Sequence, residues 1–76
     1  MSDWLDDERE IKAVALCGDV YDRNVGDTFE RIERAGEMAM VPWIKIFTYY
    51  EHGISIPRRR VVEAPLRQVQ WIEFTT

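Results

Sequence analysis

The chain has 76 residues, a formal net charge of -4, and 46% hydrophobic and 12% aromatic residues. That apolar share excludes a disordered tail, and the length allows one domain whose core only just outweighs the entropy lost on folding. A single cysteine excludes an intramolecular disulfide and a multi-cysteine zinc site. With an acidic start and no apolar run near the roughly 20 residues of a membrane span, the expected setting is cytoplasmic, with no membrane association.

Charge is unevenly placed. Residues 1–37 carry eleven acids against five bases, whereas residues 38–76 carry three acids against five bases. Such asymmetry points to an oriented electrostatic surface, acidic at one end and mildly basic at the other. Turn-forming residues recur at intervals of about eight to twelve residues, the spacing of an all-β barrel or sandwich and too tight for βαβ units.

In chain order, Asp3 can cap a short helical turn over residues 2–8, followed by a strand from residue 9 or 10 to 17. The apolar residues of 4–17 scatter around a helical wheel, which disfavours the alternative of one helix over that range. Gly18 and residues 24–27 mark turns, and residues 28–35 form a strand that pairs with the next one through a Gly36-Glu37 turn. Residues 38–50 (MAMVPWIKIFTYY) are the clearest strand, rich in β-branched and aromatic residues and closed by Glu51-His52-Gly53. Alternation sets Met40, Ile44 and Ile46 on one face and Val41, Trp43, Phe47 and Tyr49 on the other, so both faces need cover. Pro42 cannot donate to a ladder, which places the strand's start or a free edge near it. A strand over residues 53–63 is interrupted at Pro57, and Pro65 opens a tight turn into a last strand with Val69, Trp71, Ile72 and Phe74. In architecture alone, a proline-started turn leading to a short final strand resembles the way small SH3-like barrels end. The expected fold is therefore mainly β: a small antiparallel meander, or SH3-like five-stranded barrel, with a short N-terminal helical turn. The alternative is an α+β fold with an N-terminal helix on a four-stranded antiparallel sheet.

Few residues suggest chemistry. Asp22, Asn24 and Glu33 have the spacing of positions one, three and twelve of a calcium loop, but Gly26 falls where a ligand belongs and no flanking helices are evident, so a polar turn is expected and no metal. Cys17 follows an apolar run that should bury it as an inert thiol, and His52 sits in an expected turn, so a Cys-His nucleophile is not indicated. No catalytic set and no cofactor motif are found. Arg58, Arg59 and Arg60 alternate if they lie on a strand, so at most two converge, against the roughly six phosphate contacts that useful nucleic-acid binding needs. The aromatics are expected mainly in the core, with a surplus left for association.

These observations point to a non-enzymatic interaction protein that docks on a larger protein as inhibitor or regulator, with homodimerisation as a further option. By analogy of type, such compact acidic chains include virus-encoded proteins directed at host nucleic-acid-handling or defence complexes. The expected contact residues are Trp43, Tyr49, Tyr50, Arg58 and Arg60, with Asp6, Asp7 and Glu8 as steering charges. The alternative is a small nucleic-acid-binding barrel using Arg58, Arg59, Arg60, Lys45 and exposed aromatics.

Overall fold

A computed structural model describes residues 3–50 and 58–75, with the side chains of Asp3, Tyr49, Tyr50, Arg58 and Arg59 outside the description. The expected turn at residues 51–53, His52 and Pro57 also lie outside the described residues. A four-residue helix, α1 (Asp3–Asp6), precedes β1 (Ile11–Leu16) and β2 (Asp19–Asp22). The central meander is β3 (Thr28–Ala35), β4 (Met40–Tyr50) and β5 (Arg58–Pro65), and β6 (Val69–Phe74) ends the fold. All pairings are antiparallel, in two three-stranded sheets of order β2-β1-β6 and β3-β4-β5. The protein is mainly β, as its sequence implies. Among the described residues, however, hydrogen bonding does not close the sheets into one barrel, and the long N-terminal helix of the α+β alternative is absent.

Local chemistry explains the connections. Cys17 and Gly18 both have positive φ (52° and 83°), which makes the two-residue β1–β2 link the mirror-image turn that follows strand twist. Cys17 is thus an exposed turn residue and not the buried thiol its apolar predecessors suggest. Between β2 and β3, a short 3-10 turn spans Arg23–Val25: the Asp22 side chain accepts from the Asn24 N–H at 2.8 Å, and Gly26 closes the turn at φ 100°. Asp27, only 4% exposed, accepts from the Asp22 N–H at 3.0 Å. The residues that resemble a calcium loop thus spend Asp22 and Asp27 on their own backbone, and Glu33 lies on β3.

The β3–β4 hairpin is longer than the Gly36-Glu37 turn expected. Ala35 pairs with Met40, and the Gly36 N–H donates to Ala39 O at 2.9 Å across a four-residue loop. A Cβ at Gly36 would lie 2.7 Å from both Ala39 O and Val41 Cγ2, so the close chain approach requires glycine. That bond fixes the alternation so that Pro42, opposite Glu33, sits at a non-hydrogen-bonded position toward β3. On its other side the β4–β5 ladder starts only at Trp43 and Pro65. Pro42 therefore costs no ladder bond although β4 is the central strand. Pro65 ends β5 and caps a second 3-10 turn, Leu66–Gln68, that leads into β6.

The core lies between the sheets and is aliphatic. Val14, Ile44 and Ile46 are 0% exposed, joined by Ile11, Leu16, Ala64 and one aromatic, Trp4. Tyr21, Phe29 and Phe74 only pack against this cluster from its margin, and Trp71 is 46% exposed. The expectation that Trp43, Phe47, Tyr49, Tyr50, Trp71 and Phe74 mostly build the core is corrected for the four whose side chains are described: aliphatic residues fill the narrow space between the sheets, and these rings stand around it.

Candidate protein-docking face

Register and alternation define the outward face of the β3-β4-β5 sheet. With Ile44 and Ile46 turned to the core, Val41, Trp43, Lys45 and Phe47 face away from it. Trp43 lies between Ile32 and Pro65, Lys45 between Glu30 and Glu63, and Phe47 between Thr28 and Val61. Two apolar rows thus flank one charged row. The Arg34 guanidinium sits 5.2 Å from the Trp43 ring and pairs with Glu63, while Lys45 Nζ lies 5.3 Å from the Phe47 ring. Trp43 and Phe47 are half-buried, Val61 is 49% exposed, and Met38 at the hairpin tip is 98% exposed. A groove of about 570 Å³ runs beneath that tip, lined by Met38, Val41, Trp43, Pro65 and Arg67.

The expected contact residues divide between locations. Trp43 lies on this face. Tyr49 and Tyr50 pair in register with Arg59 and Arg58 at the far end of the same ladder, and their side chains are outside the described residues. Arg60 pairs with Thr48, two positions along from Ile46, so it stands on the core-facing side of the sheet, exposed, near Tyr21 of β2. The Tyr21 hydroxyl is held above its usual range by burial, with Asp19 adding to the effect and Arg60 opposing it. The structure therefore does not bring Trp43 and Arg60 together.

The N-terminal acids also have distinct roles. Arg31, on the core-facing side of β3, donates from Nη1 to Asp7 O at 2.6 Å and from Nη2 to Arg9 O. Its guanidinium lies 5.0 Å from the Trp4 ring, and the Trp4 Nε1–H donates to Trp43 O at 2.9 Å. The leader is thus strapped across the sheet by one partly buried arginine and one buried tryptophan. Asp7 accepts from Arg9, with Nη2 to Oδ2 at 2.7 Å, and lies 3.9 Å from Arg31. The Arg9 side-chain hydrogen bonds hold the Asp7 carboxyl far below the usual carboxylate range, with the Arg9 backbone N–H adding to the shift. Glu10 pairs with Arg23 at 2.8 Å. Asp6 and Glu8 remain exposed, without an ion-pair partner among the described residues, so they and not Asp7 carry the leader's outward charge. The strap was missed in the sequence because Arg31 belongs to an alternating charged strand that reads as solvated.

Among the described residues no group of three or more His, Cys, Asp or Glu is placed to hold a metal ion, and no helix is long and apolar enough to cross a membrane. No protein-family model, curated protein or solved structure matches the chain.

Proposed function

We propose that this protein is a non-enzymatic docking module that occupies the surface of a larger protein, as inhibitor or regulator, through the outward face of the β3-β4-β5 sheet. The observation that carries this reading is the position of Trp43 and Phe47: large rings left partly exposed on the face turned away from an already complete aliphatic core. Apolar area left outside a core in so small a domain favours association, and central aromatic anchors dominate the energetics of protein interfaces. Arg34 and Lys45 restrain the two rings, which lowers the entropy lost when a partner orders them. Asp6 and Glu8 add negative charge that speeds approach to a basic partner surface. A nucleic-acid-handling or defence complex as target rests on analogy of type alone.

Nucleic acid as the direct ligand is disfavoured by Lys45, which sits in register between Glu30 and Glu63. Affinity capture from host lysate with the wild-type chain and with Trp43→Ser, followed by measurement on the purified partner, tests the proposal. A protein bound by the wild type and weakened at least about 30-fold by Trp43→Ser is expected, a hot-spot loss of about 2 kcal/mol. Equal binding by both chains, or retention on nucleic acid across a salt series in place of a protein, overturns it.

A further inference from the structure

We infer that the cleft between the leader and β3 binds a small monocarboxylate with an apolar body, its negative charge neutralising Arg31. The cleft, of about 360 Å³, is bounded by the leader, the start of β1, the 3-10 turn that begins at Arg23, and the start of β3. That volume lies at the small end of ligand pockets and far above what one water molecule needs. Leu5, Ile11 and Phe29 supply its apolar walls, and neither Trp43 nor Phe47 lines it. This site is therefore separate from the docking face, and the two succeed or fail independently.

Electrostatics select the ligand. Arg9, Arg23 and Arg31 line the cleft together with Glu8 and Glu10, and pairing within the chain settles most of these charges. Arg9 is committed to Asp7, with Nη2 to Oδ2 at 2.7 Å, and Arg23 to Glu10 at 2.8 Å. Arg31 is different: its side chain is only 16% exposed, yet its hydrogen-bond acceptors among the described residues are the carbonyls of Asp7 and Arg9. The nearest carboxylate oxygen among those residues, Asp7 Oδ1, is 3.9 Å away, outside hydrogen-bond reach, and Arg31 Nε is buried without a hydrogen-bond partner. A cation so far from water and held by carbonyl dipoles is under-compensated, and one added negative charge balances it. A carboxylate suits the planar guanidinium, and the apolar walls suit a hydrocarbon body. Glu8 and Glu10, both exposed beside the cleft, oppose a second negative charge, which disfavours phosphate and other dianions.

Titration of the purified, isotopically labelled full chain with phenylacetate, followed by NMR of its N–H groups, tests the inference. Shifts should saturate at the amides of Glu8, Ile11 and Phe29 and at the Arg31 Nε–H, with a Kd of about 1 mM or tighter, the scale for a ligand of about ten non-hydrogen atoms. Phenylacetamide, which has the same shape without the charge, should bind at least about tenfold more weakly, and inorganic phosphate should give no saturating shift at these positions. Glu8→Gln, at an exposed position, removes a competing negative charge and should tighten phenylacetate binding about twofold. Arg31→Lys keeps the charge but loses the planar fork, and should weaken binding about tenfold, with circular dichroism to check that the chain stays folded. No saturating shift with phenylacetate, equal binding of phenylacetamide, saturation by phosphate at the same positions, an affinity unmoved by Glu8→Gln, or a folded Arg31→Lys chain that binds as wild type each overturns the inference.

Discussion

β1 and β4 are the central strands of their sheets, yet they treat their outer faces in opposite ways. On β1 the residues turned away from the core are alanines: Ala13 and Ala15 are 2% and 3% exposed, shaded in register by Asp22 and Glu73 and by Val20 and Trp71. On β4 the corresponding positions hold Trp43, Lys45 and Phe47, larger side chains that their neighbours cover only in part. Burial here follows the size of adjacent side chains, and large outward rings on a central strand mark the face that has something left to bury. The core itself is the same aliphatic layer for both sheets, so the difference concerns what each outer face is for.

The sharpest way to break this comparison is to cut the shared core. Ile44→Ala removes buried atoms from a fully enclosed site and should cost about 2 to 5 kcal/mol, most of what a domain of this size commands. Urea denaturation should show a largely unfolded chain without denaturant, and a wild-type midpoint would mean that the sheets are not packed through Ile44. Trp4→Phe tests the strap more gently: the ring largely stays and Trp43 O keeps its ladder bond from Ile32, but the donor from the strap is lost, at a cost of about 0.5 to 1.5 kcal/mol. Hydrogen exchange should then quicken in residues 4–10 before it does in β1 or β4.

Lowering pH sharpens the same point at Asp7. Its folded-state carboxyl lies below the ordinary range because Arg9 holds the ionised form, so its contribution to stability is present above about pH 4. That contribution should fade as pH falls below about 4, toward the folded-state value. Asp7→Asn should be less stable than wild type at neutral pH, and the difference should shrink on acidification; thermal unfolding from pH 7 to pH 2 checks this, and a gap that widens contradicts it. The smallest expected effect is at Cys17. Because it occupies a left-handed turn position before Gly18, Cys17→Asn should stabilise the hairpin by a few tenths of a kcal/mol, read as a melting temperature raised by about a degree or two.

Much of the meander was legible because strand chemistry is local: the alternation in residues 38–50 sets Ile44 and Ile46 apart from Trp43 and Phe47, as observed. Pro65 and the turn after it announced β6 in the same way. What stayed hidden depends on contacts between distant residues. β2 (DVYD) reads as part of a polar loop until β1 lies beside it. Arg31 reads as a solvated charge until the carbonyls of Asp7 and Arg9 fold back onto it, and Cys17 reads as buried until Gly18 turns the chain. For the candidate site, alternation placed Trp43 on the outward face, but no local pattern could show that Arg60 stands on the opposite side of the sheet with Thr48.

The central claim is that the rings on the outward face of β4 serve association more than folding, and Trp43→Ser, made alone, measures both. The account predicts that urea unfolding of this variant loses only about 1 to 2 kcal/mol, well short of Ile44→Ala, while affinity for the captured partner, titrated calorimetrically, falls at least about 30-fold. Unfolding that matches the Ile44→Ala loss together with unchanged affinity would contradict it.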